Sequence, residues 1–134
     1  MGKRILFVDD DPSLLVLYRR VFGRMGYDVL TAADAEGALQ LFREDYPDLV
    51  VVDVRLTGEK TGLDLLGKIL VLRRIPAIIN TAYASYRETF LSWAADAYIL
   101  KSSDLTELIE TVGRLLGPER AGTVVEPEAA GAPG

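Results

Sequence analysis

The apolar run from Leu49 to Val52 ends abruptly at a carboxylate, Asp53, and this boundary constrains the fold more than any other feature of the sequence. Consecutive apolar residues over so short a stretch predict a strand that is covered on both faces, as the strands of parallel sheets are. Asp53 would then stand at the carboxyl end of the strand, which is the edge where open α/β sheets bind ligands. We therefore expect a buried parallel sheet with a functional aspartate at its ligand-binding edge.

Further short apolar runs alternate with segments of helical periodicity along the chain. The predicted strands are 4–8, 28–32, 49–52, 77–79 with an extension through Asn80 to Thr81, and 97–100. The predicted helices begin after Asp11, after Asp34, at Thr61 with Asp64, at Ser85 with Glu88, and near Asp104. Strands that alternate with helices return the chain to one sheet in the same direction. We predict an α/β fold of the flavodoxin-like type, a doubly wound parallel sheet of five strands in the order 2-1-3-4-5 with five helices.

The length of 134 residues allows one domain with a proper core. We assign residues 1–118 to this domain. Residues 119–134 are rich in Ala, Gly, Pro and Glu, and this composition predicts a disordered tail or the stub of a linker. The chain has no apolar run near the about 18 residues that a membrane helix needs, and its start turns acidic too soon for a signal peptide. We expect a cytoplasmic protein.

The composition excludes several kinds of chemistry. The chain has no Cys and no His, which excludes disulfides, thiolate metal sites and the commonest general base. A net charge of −5 with scattered basic residues argues against nucleic acid as a direct partner. Any chemistry has to use carboxylates, hydroxyls and lysine.

Acidic residues follow two strands that are neighbours in the predicted sheet. Asp9 and Asp10 follow strand one, and Asp53 follows strand three, so the three side chains should converge at the switch point of the sheet. Carboxylates held together repel one another, and a hard divalent cation with oxygen ligands relieves that repulsion. Mg²⁺ is the cofactor that this cluster predicts.

A hydroxyl and an ammonium end the next two strands. Thr81 ends strand four and Lys101 follows strand five, so both should face the same edge as Asp53. Such donors suit the oxygens of a phosphoryl group, and a carboxylate that is ionised at neutral pH is a ready nucleophile. We expect Asp53 to accept a phosphoryl group as an acyl phosphate.

A close resemblance to the receiver domain of two-component response regulators is carried by four segments, VDDDPS, LVVVDV, INTAYAS and DAYILK. The resemblance covers residues 3 to 117. It implies that a histidine kinase or histidine phosphotransfer protein phosphorylates Asp53. It also implies that Mg²⁺ is held by Asp9, Asp10, Asp53 and the backbone carbonyl of Arg55. Such a domain is a phosphoacceptor, with self-phosphorylation and slow autodephosphorylation, and is not an enzyme in the ordinary sense.

The resemblance assigns further roles around the acceptor. Thr81 matches the switch hydroxyl, Lys101 the phosphate-binding lysine, and Tyr98 the aromatic residue that turns inward on activation. Switching is implied on helix four, strand five and helix five, where Tyr83, Trp93 and Tyr98 lie, and that face would signal to a partner or effector domain. A homodimer is left open.

The resemblance also implies control of the phosphoryl lifetime by two positions. They lie two residues beyond the acceptor and two beyond the switch hydroxyl, and here they are Arg55 and Tyr83. Both side chains are large and could keep water from the acyl phosphate. We expect a comparatively long-lived phosphoprotein.

Two alternatives from other classes stay open. Residues 9–13 also fit the Asp-x-Asp-x-hydroxyl motif of haloacid-dehalogenase-type phosphatases, with Thr81 and Lys101 in the next two motifs. That family needs a late acidic pair for Mg²⁺. The acids that follow Lys101 in the predicted domain are separated: Asp104, Glu107 and Glu110. The other alternative is a phosphorylation-independent interaction module on the same fold.

Overall fold

A computed structural model describes residues 2–56, 62–84 and 95–117. The strands are β1 (Arg4–Val8), β2 (Asp28–Ala32), β3 (Leu49–Val52), β4 (Ala77–Thr81) and β5 (Ala97–Leu100). The helices are α1 (Pro12–Arg24), α2 (Ala35–Asp45), α3 (Gly62–Leu72) and α4 (Thr106–Leu116). Helix α4 is the last of the helices predicted from the sequence. The helix predicted from Ser85 to Trp93, the loop at 57–61 and the predicted tail lie outside the described residues.

The strands form one parallel sheet in the order β2-β1-β3-β4-β5, which confirms the predicted topology. In the register, Val8 lies opposite Val52, Val52 opposite Ile79, and Thr81 opposite Leu100. Because every pair is parallel, the carboxyl ends of all the strands lie along one edge of the sheet. The residues that follow β1, β3 and β5 and the last residue of β4 therefore share that edge.

Apolar side chains from both faces of the sheet form two core layers, as a doubly wound fold requires. One layer joins the sheet to α2 and α3 and contains Ala38, Phe42, Leu66 and Ile69. The other joins the sheet to α1 and α4 and contains Leu15, Phe22, Leu108 and Val112. Strand β3 is buried at every position, because both layers cover it. This burial accounts for the uninterrupted apolar run before Asp53.

The ends of α1 and α2 follow the signals in the sequence. The Asp11 side chain accepts a hydrogen bond from the Ser13 amide at 2.9 Å, and the Asp34 side chain accepts one from the Gly37 amide at 2.7 Å. Just after α1, Gly26 takes a φ of 101°, a positive value that residues with a side chain rarely adopt.

Within the described ranges, no helix has the length and apolarity needed to cross a bilayer.

The start of α4 differs from the prediction. The sequence predicts a cap near Asp104, and in the structure Leu105 takes the cap position and the helix begins at Thr106. Asp104 instead accepts hydrogen bonds from the Thr106 hydroxyl and amide at 2.6 and 2.9 Å. These bonds lower the pKa of Asp104. The acid still orders the entry to the helix, from one residue earlier than the cap.

Candidate functional site

Asp53 lies just beyond β3 and is only 5% exposed. One carboxylate oxygen, Oδ1, accepts hydrogen bonds from the Thr81 hydroxyl at 2.7 Å and from the Arg55 amide at 3.2 Å. The other oxygen, Oδ2, accepts one from the Lys101 ammonium at 2.7 Å. The structure therefore brings together the carboxylate, hydroxyl and ammonium that the sequence placed at the ends of three strands.

Lys101 connects two carboxylates. Its Nζ lies 2.7 Å from Asp53 Oδ2 and 2.8 Å from Asp9 Oδ2. Burial alone would lower the pKa of Lys101, but the hydrogen bonds to Asp53 and Asp9 and the charges of both acids raise it above the ordinary lysine value. Lys101 is therefore a fixed cation at this edge of the sheet.

Asp9 is the most deeply buried member of the acidic cluster, with 2% of its surface exposed. Its Oδ1 accepts a hydrogen bond from the Asp11 amide at 3.0 Å, and its own amide bonds to the Ala32 carbonyl at 3.1 Å. Burial raises the pKa of Asp9, and the hydrogen bond from Lys101 only partly offsets this effect. A cation added beside this carboxylate would favour its charged form.

The predicted metal ligands meet at the same place. Asp9, Asp10 and Asp53 each offer a carboxylate oxygen, and these atoms all lie within 4.8 Å of one another. Asp9 and Asp53 are buried while Asp10 is exposed, so the cluster is reachable from solvent on the Asp10 side. Oxygen donors of this kind fit a hard divalent cation such as Mg²⁺. The Arg55 carbonyl as a further ligand stays a prediction.

Gly62, the first residue of α3, packs against the backbone of Asp53 and Val54. Its amide donates to the Val54 carbonyl at 2.8 Å. A Cβ at position 62 would lie 2.3 Å from the Asp53 carbonyl oxygen, far inside van der Waals contact. No role of Gly62 is predicted from the sequence. The available signal was the glycine at the end of the loop that follows Asp53.

Aromatic residues lie beside the loop that follows Asp53. The Arg55 guanidinium stands 4.7 Å from the centroid of the Tyr83 ring, so two loops that leave neighbouring strands are in contact. The Tyr98 hydroxyl donates a hydrogen bond to the Tyr83 carbonyl. Tyr98 is 5% exposed and belongs to the core layer of α2 and α3, so its ring is turned inward. Tyr83 is thereby held by both Arg55 and Tyr98.

Residues 5–113 match the protein family described as "Response regulator receiver domain". Over 119 residues the chain is 38% identical to a probable transcriptional regulator, ycf27, of Cyanophora paradoxa. That match covers 85% of this chain and 48% of the relative, so the chain spans about half the length of this relative.

Two other similar proteins match over nearly their whole length. The polar-differentiation response regulator DivK of Brucella ovis is 33% identical over 122 residues, covering 87% of this chain and 98% of DivK. The solved structure of the response regulator TrrA from Thermotoga maritima, in complex with Mg²⁺-BeF, is 39% identical and superposes with a TM-score of 0.78. That superposition covers 84% of this chain and 98% of TrrA.

Proposed function

We propose, given that the chain belongs to the response regulator receiver domain family, that Asp53 accepts a phosphoryl group from a phosphorylated histidine. The observation that carries this proposal is the convergence on Asp53 of the Thr81 hydroxyl and the Lys101 ammonium, each 2.7 Å from a carboxylate oxygen. A hydroxyl and an ammonium are the donors that phosphoryl oxygens require. A dehalogenase-type phosphatase would leave Asp53 without a role, so the central position of Asp53 favours the receiver.

The transfer needs no base to activate the nucleophile, because a carboxylate carries its electron pair at neutral pH. One Asp53 oxygen forms a bond to phosphorus as the bond from phosphorus to the donor histidine nitrogen breaks. The electron pair of the broken bond stays on that nitrogen, which takes up a proton. Lys101 and Thr81 then exchange their hydrogen bonds with Asp53 for bonds to phosphoryl oxygens. The product is an aspartyl phosphate.

Asp9, Asp10 and Asp53 are the residues that would hold Mg²⁺, since their oxygens lie within 4.8 Å of one another. When bound, Mg²⁺ supplies positive charge that offsets the charge of the transferring group. Asp10 faces solvent, so a donor histidine would approach from that side. The Mg²⁺ bound to TrrA, which shares 39% of its residues with this chain over the aligned region, supports the same requirement here.

The proposed output runs from Thr81 to the aromatic residues beside it. Tyr83 follows Thr81 in the loop after β4, and its carbonyl accepts a hydrogen bond from Tyr98 in β5. A movement of Thr81 towards a phosphoryl group would pull on this loop and on the Tyr98 contact. The surface of β5 and α4 would then change for a downstream protein or effector domain. The kinase or phosphotransfer protein is the partner on the input side.

The test is phosphorylation with a small phosphodonor, phosphoramidate, followed by intact-mass measurement. The wild-type protein should gain one phosphoryl group with Mg²⁺ and none with EDTA, and Asp53→Asn should gain none under either condition. Asp45→Asn is the charge-matched control and should label as wild type does, because Asp45 ends α2 and precedes the amino end of β3, at the edge of the sheet opposite the site. Undiminished labelling of Asp53→Asn would place the acceptor elsewhere. An unlabelled wild-type protein would favour the phosphorylation-independent interaction module.

A further inference from the structure

The core layer shared by α1 and α4 contains a buried hydrogen bond between two side chains from distant parts of the chain. The Nδ2 of Asn80 donates to the hydroxyl of Tyr18 at 2.9 Å. Asn80 is 5% exposed and Tyr18 is 2% exposed. Both groups have lost their hydration, and one hydrogen bond offsets only part of that cost. Two apolar side chains could fill this volume without the cost, so the polar contact calls for an explanation beyond packing.

Asn80 immediately precedes Thr81 in β4. Side chains alternate along a strand, so Asn80 points towards α1 while Thr81 points to the opposite face and reaches Asp53. The Thr81 hydroxyl meets an Asp53 oxygen at 2.7 Å, and a displacement of β4 at Asn80 would carry Thr81 with it. The position of Asn80 therefore bears on the position of the hydroxyl.

Tyr18 is anchored on the other side of the site. It lies in α1, which starts directly after the acidic residues that follow β1. Its ring stacks on Phe7 of β1, with centroids 4.9 Å apart and an interplanar angle of 22°. The hydrogen bond to Asn80 thus spans β3, which lies between β1 and β4. The pair joins the helix behind the predicted metal ligands to the strand that carries the hydroxyl.

The phenol also lies within electrostatic reach of the site. Burial raises the pKa of Tyr18, and the negative charge of Asp9 raises it further. Tyr18 therefore stays protonated and neutral, and its hydroxyl oxygen remains an acceptor for the Asn80 amide.

We propose that Asn80 and Tyr18 are positioning residues for phosphoryl transfer. Their hydrogen bond fixes the carboxyl end of β4 against α1 and so holds the Thr81 hydroxyl at the distance that the acceptor requires. The inference rests on the proposed function of Asp53 as phosphoacceptor. Asn80 and Tyr18 act through the backbone of Thr81 and do not bind the phosphoryl group.

The test compares Tyr18→Phe with wild type at saturating Mg²⁺ and saturating phosphoramidate. Tyr18→Phe keeps the ring and its stacking on Phe7 but removes the acceptor for the Asn80 amide. We expect the labelling rate constant to fall by about 5-fold, because small displacements of the reacting groups slow a reaction considerably. The Kd for Mg²⁺, measured by calorimetry, should be unchanged. Asn80→Ala is the second variant. It should also lower the labelling rate constant and leave the Kd for Mg²⁺ unchanged.

Two further variants separate positioning from stability. Phe42→Leu truncates a fully buried ring of α2 in the other core layer, so it should lower the free energy of unfolding but label at the wild-type rate. The double variant Tyr18→Phe with Asn80→Leu removes both polar groups. Its free energy of unfolding should recover relative to the single variants, but its labelling rate constant should not.

The outcomes distinguish this inference from the function on which it rests. Labelling of Tyr18→Phe at the wild-type rate, or equal slowing of Phe42→Leu, would overturn the positioning role and leave Asp53 as the acceptor. A wild-type rate in the double variant would overturn it as well. A wild-type protein that takes up no phosphoryl group on Asp53 would overturn both proposals.

Discussion

The Lys101 ammonium lies 2.7 Å from Oδ2 of Asp53, and the same nitrogen lies 2.8 Å from Oδ2 of Asp9. One cation thus compensates two largely buried carboxylates. The lysine that would bind the phosphoryl group therefore also stabilises the folded domain. In the proposed reaction, Lys101 exchanges its ion pair with Asp53 for contacts with the phosphoryl group. The charge of the metal then compensates the carboxylates.

Replacement of Lys101 by methionine should destabilise the domain. The change keeps much of the side-chain volume but leaves Asp9 and Asp53 without their shared cation, and we expect a loss of about 2 kcal/mol in the free energy of unfolding. Saturating Mg²⁺ should recover part of this loss, because the metal supplies the missing charge. Urea unfolding with Mg²⁺ and with EDTA measures both effects. Equal losses under the two conditions would contradict this account of the site.

Removal of the Thr81 hydroxyl should uncouple the acceptor from the aromatic residues. In Thr81→Ala, beryllofluoride should still bind beside Asp53, but the amide shifts of Tyr83 and Tyr98 should respond less than in wild type. Thr81→Ser keeps the hydroxyl and is the matched control, with a response close to that of wild type. Fluorescence of Trp93, the single tryptophan, offers a second reporter. A full response in Thr81→Ala would show that the signal takes another route.

The sheet and the centre of the site could be predicted because their signals are local. Strands β1, β3, β4 and β5 each have a polar residue at or just after the carboxyl end, and the strand order then decides which of these polar ends meet. The contacts of Asp53 with Thr81 and Lys101 follow from that order. The caps at Asp11 and Asp34 were predicted for the same reason, since a cap needs only a few consecutive residues.

Other features of the site depend on side-chain packing between distant segments. The strand order brings Lys101 and Asp9 to one edge but does not specify their contact. It also does not specify the stacking of Arg55 on Tyr83 or the bond from Asn80 to Tyr18. The cap of α4 is Leu105, one residue after Asp104, which binds Thr106 from outside the helix. A sequence pattern does not distinguish this turn from a cap, since both use an acid to bind a nearby amide.

Two glycines of α3 should respond in opposite ways to alanine. At Gly62 a Cβ would lie 2.3 Å from the Asp53 carbonyl oxygen, so the backbone of the acceptor would have to move. We expect Gly62→Ala to lower the free energy of unfolding by about 1 to 3 kcal/mol, as overpacking does, and to slow labelling of Asp53. Chemical denaturation and the intact-mass assay measure the two effects.

Gly67→Ala is the control within the same helix. Nothing lies within 4 Å of a Cβ at this position, so alanine should stabilise the helix by up to about 1 kcal/mol and leave labelling unchanged. Equal effects of the two substitutions would show that the close approach of Gly62 to Asp53 has no bearing on the site.

The last prediction concerns the lifetime of the phosphorylated protein. Hydrolysis of the aspartyl phosphate needs a water molecule in line with the bond to Asp53. The stacked pair of Arg55 and Tyr83 adjoins Asp53, whose carboxylate accepts a hydrogen bond from the Arg55 amide. Tyr83→Ala removes the ring that holds the guanidinium. We expect loss of the phosphoryl group to become ~10-fold faster, which corresponds to about 1.4 kcal/mol in the barrier. The decay of the phosphorylated mass after removal of the donor gives the rate.

Controls identify the stacked pair as the cause. Tyr83→Phe keeps the ring and should decay as wild type does, and Tyr46→Ala removes an exposed aromatic residue that follows α2 and should also have no effect. Arg55→Ala should accelerate decay, and the double variant should decay no faster than the product of the single effects predicts, because the two side chains obstruct water together. If neither Tyr83→Ala nor Arg55→Ala changes the decay while Asp53 remains the acceptor, water access beside this pair does not control the lifetime.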